Sequence, residues 1–417
     1  MTTPIPLDEA LQHVLRESDA PLDVESVPLR DALGRSLATD LASDVPWPVT
    51  DRSAMDGFAI AAPADVDAGA RFVVVGESLA GHPFDGPLKA GAAIRIMTGA
   101  VVPRGATVVV PVERTGGFVG GEVVVDAAHP LGANIRRAGS ELAVGEVVTH
   151  AGTRIDPATI GVLAVLGIDP VPVFRRPVVA VLATGDEVVD VGRVPAPHQV
   201  RDSNSHAVAA QAQAAGALPL RLGIAADDAA ALRAHLAAGL TDADVVLTIG
   251  GVSKGTHDLV HTTLAELGVC EVFHGVRLKP GMPTFFGVHE HDGRRRFVFG
   301  LPGNPASCFT VFDLLVRPLL DILLGVAPDL SPPVLRVTGV PFPQNARLQA
   351  IRARRRIGDG GELTAELAAP RPSGDPFSLL HGDGYALIPP QAHPLTATHA
   401  PFVASSGVGR LPSQDPG

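Results

Sequence analysis

Aromatic residues make up only 4% of this 417-residue chain, with one tryptophan and one tyrosine, and cysteine occurs only at Cys270 and Cys308. Two thiols are too few for a zinc cluster, and neither lies in a nucleophile motif with a nearby histidine. Both are expected to be ordinary buried thiols, with no disulfide. Long apolar runs are missing too: no stretch reaches the length of a membrane span, so no membrane association is expected. Cations are in deficit, 33 Lys and Arg against 44 Asp and Glu for a formal charge of −11. That balance argues against nucleic acid as a partner, because phosphate backbones select basic faces. The run RARRR (Arg352 to Arg356) is a local exception, read as a solvated strand or loop face in preference to an anion site. No charged leader opens the chain, since MTTPIPLDEALQHVL goes straight into an amphipathic helical pattern, and a cytoplasmic location is expected. GxGxxG after a strand and GxxxxGKS/T are both absent, which excludes a dinucleotide dehydrogenase and a P-loop enzyme.

What the chain does have is glycine and proline, 45 and 38 residues, and three glycine turns with polar flanks. They read TGDE (Thr184 to Glu187), GGVSKGTHD (Gly250 to Asp258) and LPGNP (Leu301 to Pro305). Each follows an apolar run without alternation, VVAVLA, DVVLTI and FVFG, the pattern of strands covered on both faces by helices. Open α/β sheets bind ligands beyond the carboxyl ends of such strands. Glycine lets backbone N–H groups approach phosphate oxygens, whereas Asp and Glu repel phosphate unless a hard cation such as Mg²⁺ lies between. The first inference is a metal-bridged, phosphate-bearing small molecule.

The expected fold class is α/β multidomain. A doubly wound, mostly parallel sheet domain is joined by an inserted β domain, a small α/β connecting domain and a C-terminal β domain. A helix is predicted over Leu7 to Arg16 and a second, short one over Leu29 to Ala38; from Phe58 to Val148 the text turns to short β-type runs. Asp156 before Pro157 reads as a cap and first-turn pair opening a helix. The expected division is 1–50 with 145–176 as a discontinuous connecting domain, 51–144 as the β domain and 177–328 as the α/β domain. The C-terminal β domain takes 333–404, and 405–417 is read as a disordered tail. In the α/β domain, a long helix is predicted from Ala306 to about Leu324, and Asp292-Gly293 in HEHDG is read as an exposed hairpin turn rather than a metal site.

Asp186, Glu187, Asp202, Asp227, Asp228 and Asp258 all fall just after predicted strands or at helix starts. Helix capping alone competes with a functional role for Asp202 with Ser203 and for Asp227 with Asp228. It explains less for Asp186 beside Glu187 in a glycine turn. DRSAMDGFA (Asp51 to Ala59) and IMTGA (Ile96 to Ala100) are polar turns in the β-type region whose spacing alone assigns no role.

In order, DRSAMDGFA, RIMTGAVVPRGAT, NIRRAGSEL, ATGDEV, DSNS, GGVSKGTHD, LKPGMP and VFGLPGNPAS resemble the motifs of molybdopterin molybdenumtransferases, the family of bacterial MoeA and the E domain of gephyrin. The resemblance runs to about Pro389 and implies a four-domain subunit. It further implies a homodimer in which the α/β domain of one chain and partner-chain domains form the active site. It implies the reaction: molybdate enters the dithiolene of adenylylated molybdopterin, with Mg²⁺-dependent release of AMP. By resemblance, the catalytic positions are Asp56, Thr98, Glu187, Asp227, Asp258 and Lys279, of which Glu187, Asp227 and Asp258 are assigned to Mg²⁺. The molybdopterin pocket is assigned to Thr184, Gly185, Asp186, Asp202, Ser203, Gly250, Gly251, Ser253, Pro302, Gly303, Asn304 and Ser373. The C-terminal stretch SGDPFSLLHGDG leaves Ser373 and Ser378 as alternatives for the family's functional serine. Glu141 stands where many members have Asp, and Gly275 where some place a second Lys, so that Arg277 or Lys254 is expected to supply that charge. A molybdopterin adenylyltransferase and molybdoenzyme maturation proteins are the implied partners. Two other readings stand beside this one: an adenylyltransferase of molybdopterin, which the extra domains disfavour, and a non-enzymatic scaffold or binding paralogue.

Overall fold

The structure is a computed structural model that describes residues 3–18, 20–251, 259–339, 345–358, 360–390 and 399–407. Ser253, Lys254 and Asp258, and the tail from 408 on, lie outside the described residues. The chain divides into two compact units: Met1–Thr39 with Ala151–Ile160 and Asp169–Gly417, and Asp40–His150 with Gly161–Ile168. None of the described helices is long and apolar enough to cross a membrane.

The first unit is built on a six-stranded sheet in the order Leu218–Ala225, Val178–Thr184, Val245–Ile249, Arg294–Leu301, Phe285–His291, Cys270–His274. The first four strands are parallel, and the last two add an antiparallel edge. Successive residues of the central strands go to opposite cores. Val179, Val181, Leu247 and Phe299 pack with Val208 and Ala212 of the helix Asn204–Ala215. Ala180, Leu182, Val246 and Val298 pack with Leu232 and Leu236 of Ala229–Asp242 and Leu264 of Leu259–Glu266. Apolar residues at every position are therefore what a sheet with helices on both faces requires, and the unalternating runs had that cause.

The hairpin between Phe285–His291 and Arg294–Leu301 turns at Asp292 (φ 52°) and Gly293 (φ 71°), the two left-handed residues of a tight turn matched to strand twist. The predicted long helix is interrupted. Pro305–Val311 passes through a π-helical segment, Phe312–Val316, into Arg317–Leu323. Pro318 lacks the N–H that an α-helix needs in its interior, and the wider turn lies just ahead of it. The helix predicted over Leu29 to Ala38 is also corrected: only Leu29–Asp31 makes a 3₁₀ turn. Ser36 and Leu37 are extended and bridge Arg154 and Val173, so strand-type contacts prevail over a local helical pattern.

At its C-terminal end the same unit closes a small barrel. Leu348–Ile357 pairs with both Leu363–Leu367 and Gly384–Ile388, while Val334–Gly339 and His399–Ala404 complete the circuit. Ser405 and Ser406, assigned to the tail by sequence, belong to the fold: Ser405 is buried and Ser406 gives two hydrogen bonds to the buried Asp313. Cys308 is buried as expected, but Cys270, at the start of the edge strand, is exposed.

The second unit carries a five-stranded sheet in the order Val108–Pro111, Gly57–Ile60, Ala92–Ile96, Arg71–Ser78, Glu122–Val124. The helix Pro157–Val165 begins as its sequence predicts, with Asp156 accepting from the Thr159 N–H at 2.7 Å and from its hydroxyl at 2.8 Å.

Candidate functional site

TGDE, Gly250–Gly251 and LPGN meet at the carboxyl edge of the parallel strands. Thr184, the last residue of its strand, donates its hydroxyl to the Ile249 carbonyl at 3.2 Å. Gly250 follows at φ 91°, and a Cβ there would lie 2.9 Å from the Thr184 carbonyl oxygen. Only glycine fits both that backbone and that approach. The Gly250 N–H donates to Leu301 O at 3.1 Å, and a Cβ on Gly303 would lie 3.6 Å from the Gly250 Cα, so TGDE, GG and LPGN form one surface.

Carboxylates gather on one side of it. Asp186 Oδ1 accepts from the Asp227 N–H at 3.1 Å. Lost water contact, then the charges of Asp186 and Glu187, hold the Asp227 carboxyl above the usual carboxylate range. The three acids do not converge tightly enough to form a closed cage of protein ligands. Asp228 is spent as a cap, accepting from the Ala231 N–H at 2.8 Å. Asp202 is likewise committed: it is buried, accepts from the N–H and hydroxyl of Ser205, and pairs with Arg221 at 3.4 Å. Ser203, beside it, is exposed, and Pro302 is buried behind the LPGN turn.

On the other side, the LPGN turn opens into a cavity of about 560 Å³. Lys279, Arg347, Arg352 and Arg371 line it together with Asn304 and Ser373. One strand pairing brings these distant residues together: Leu278–Lys279 joins the barrel alongside Leu348 and Gln349, and the barrel region carries the arginines. Asn304 ties the two walls, donating to Ser373 Oγ at 3.0 Å, and Asn204 holds the turn from behind through Gly303 O at 2.7 Å. Ser373 therefore faces the glycine edge. Ser378 also lines the cavity, but it is buried and its hydroxyl donates to Asp375 O at 2.6 Å.

The arginine run was expected as a solvated face in preference to an anion site, and Arg352 departs from that expectation. RARRR does form a strand, yet Arg352 is half-buried, donates to Ser405 Oγ at 2.6 Å and Leu379 O at 2.8 Å, and lies over the Tyr385 ring at 4.9 Å. Its charge is thereby fixed at the cavity wall. Arg277 does not replace a second lysine there, because it lines a separate apolar cavity of about 510 Å³. Gly275 itself sits at φ 110°, where a Cβ would meet Pro4 at 3.2 Å.

In the second unit, the antiparallel pairing of Gly57 with Ile96 places Asp56 against Thr98. One Asp56 oxygen accepts both the N–H and the hydroxyl of Thr98, and these bonds, the backbone one foremost, hold the exposed carboxyl below its usual range. Asp51 anchors the neighbouring loop through Arg137 at 2.7 Å and the Ala138 N–H at 2.9 Å, and Glu141 pairs with Arg136.

Comparison with known proteins covers most of the chain. Residues 5–167 match the model of the MoeA N-terminal region (domain I and II), and residues 180–322 that of a probable molybdopterin binding domain. The molybdopterin molybdenumtransferase of Bacillus subtilis (strain 168) is 37% identical over 329 residues, 77% of this chain and 75% of that protein. That of Haemophilus influenzae is 34% identical over 327 residues, 78% of this chain and 80% of that protein. Among solved structures, a molybdopterin biosynthesis moeA protein from Pyrococcus horikoshii has a TM-score of 0.79 at 28% identity, covering 96% of this chain and 99% of that one. A second moeA structure from that organism gives 0.80 at 30% identity, covering 97% of this chain and 100% of that one.

Proposed function

The chain belongs to the molybdopterin molybdenumtransferase family, and on that premise we propose how its residues divide the work. It is a transferase of molybdenum cofactor biosynthesis that inserts molybdenum into molybdopterin. Molybdate and a pterin phosphate are both anions, and bringing them together calls for fixed positive charge and backbone N–H groups. The observation that carries the assignment is the cavity of about 560 Å³, where one lysine and three arginines line walls shared with Asn304 and Ser373. The oxyanion binds there, with Lys279 as the mobile cation and Arg352 as the fixed one. The pterin phosphate lies along the Gly250 and Gly303 turns, where the backbone is bare of side chains.

The substrate is adenylylated molybdopterin, and the leaving group is AMP. The acids fit Mg²⁺: they offer oxygen donors only, they form no closed cage, and the charges acting on Asp227 are both negative. Glu187 and Asp227, with Asp258, would hold the ion, which when bound neutralises charge on the phosphoanhydride. Asp186 orients Asp227 through its backbone N–H.

The same reading includes a cytoplasmic homodimer. Val45, Trp47, Val49 and Met55 are all exposed in the stretch leading to Asp56, an apolar set that suits a partner surface. Asp56 and Thr98 of one subunit then serve the site of the other. Purified protein given adenylylated molybdopterin, molybdate and Mg²⁺ should release AMP and form active cofactor only when all three are present. AMP release that is independent of molybdate would overturn the assignment.

A further inference from the structure

We propose that His261, Glu271 and His274 form a binding site for a transition-metal ion of the zinc class, separate from the cavity and from the carboxylates of the glycine edge. One ligand atom from each of the three lies within 4.8 Å of the others, the one such group of His, Cys, Asp or Glu among the described residues. The Nε2 of His261 is 2.7 Å from Oε2 of Glu271. The imidazoles of His261 and His274 stack with centroids 5.5 Å apart.

The fold builds this convergence from three elements. Residues three apart on a regular strand face opposite ways. Here, however, the edge strand has a bulge: Glu271 pairs with Gly287 while Phe273 pairs with Phe286 and His274 with Phe285. Phe285 and Gly287 share a face, so their partners Glu271 and His274 share it too; the extra residue has re-aimed a side chain, as bulges do. The helix Leu259–Glu266 packs on that face and supplies His261. The Phe285 ring meets both imidazoles edge-on, at 5.6 and 6.0 Å, and sets their planes.

A plain surface pair of His261 and Glu271 would account for the short contact. It gives no reason for a second imidazole, buried to 7% exposure, to stack on the first. Two imidazoles and one carboxylate are the donors that zinc takes, at ~2.0–2.2 Å, with a fourth position left to water. Such an ion sets its ligand atoms roughly 3–3.5 Å apart, which side-chain rotation reaches from the observed separations. Magnesium, which prefers oxygen, is excluded by the same donor set. The ion would cross-link the helix that follows the Gly250 turn to the strand that leads into Lys279.

The test uses the full chain, stripped with chelator and titrated calorimetrically with Zn²⁺ in excess Mg²⁺, and with Co²⁺ followed by its visible spectrum. One Zn²⁺ per chain, tetrahedral Co²⁺ bands and a raised Tm are expected. Glu271→Gln and His261→Asn, both at partly exposed positions, should each weaken Zn²⁺ binding about tenfold or more. Their metal-free Tm should be unchanged. His289→Asn should bind as the parent does, although His289 stacks with His291 at 6.0 Å in the nearby hairpin. Undiminished Zn²⁺ binding in the Glu271→Gln and His261→Asn variants, or no Zn²⁺ binding by the parent, overturns the site.

Discussion

One oxygen of Asp56 accepts two hydrogen bonds from Thr98, at 2.6 Å from the backbone N–H and 2.8 Å from the hydroxyl. Both donors serve the same oxygen, Oδ1. Two residues 42 positions apart thus act as one group, because their strands are paired.

Thr98→Val should keep the fold, since both residues are exposed, and lower turnover about tenfold, the scale of one lost charged hydrogen bond. Thr98→Ser should restore it. The pH dependence gives a second readout. The Asp56 carboxyl is depressed in the folded chain, so its ionised, doubly bonded form persists below the ordinary carboxylate range and is lost only as pH falls through the depressed value. Losing the hydroxyl should move the acid limb of activity upward. An unmoved limb, with full turnover, would show that the Thr98 hydroxyl is only a turn device.

Asp227 runs the other way. A carboxyl held above its unfolded value favours the folded state in acid and costs stability once pH passes the raised folded value, so at neutral pH the cost is fully present. Asp227→Asn should therefore melt no lower than the parent at pH ~7 without Mg²⁺, and the two should converge in acid. The same variant should lose Mg²⁺-dependent AMP release. A large loss of stability in the variant would mean that Asp227 is structural.

Much of the sheet was legible because its cause is local: strands covered on both faces are apolar throughout, and Asp292-Gly293 and Asp156-Pro157 are turn and cap chemistry. The cavity was not. Its cations lie on Lys279 and on residues from Arg347 to Arg371, joined by the pairing of Leu278–Lys279 with Leu348–Ile357. No periodicity within either segment announces that contact. Asp202 shows the converse difficulty: a capping acid and a pocket acid have the same residue type at the same helix start, and the pattern alone does not reveal its bonds to Ser205 and Arg221.

Gly250→Ala should cost about 1–3 kcal/mol, because φ 91° is strained for alanine and its Cβ would lie 2.9 Å from the Thr184 carbonyl. Urea unfolding reads this as a lower midpoint at unchanged slope. Gly161→Ala is the control. Gly161 lies inside a helix with nothing within 4 Å of the new methyl, and the change should stabilise by about 0.4–1 kcal/mol. Equal effects at the two positions would remove the steric argument for the glycine edge.

Asp56 and Glu187 lie far apart in the sequence, in different compact units, and the proposed homodimer brings them to one site from two chains. Asp56→Ala and Glu187→Ala should each abolish activity in the pure protein. Mixed and allowed to exchange subunits, the two dead chains should regain activity. In a two-fold dimer, each heterodimer holds one site with both residues intact and one with neither. At equal mixing with random exchange, half the dimers are heterodimers, so recovery should approach about a quarter of parental turnover. A mixture that stays inactive after exchange is confirmed would place Asp56 and Glu187 in the same chain's site. Recovery well above that ceiling would mean that one of the substitutions was not null.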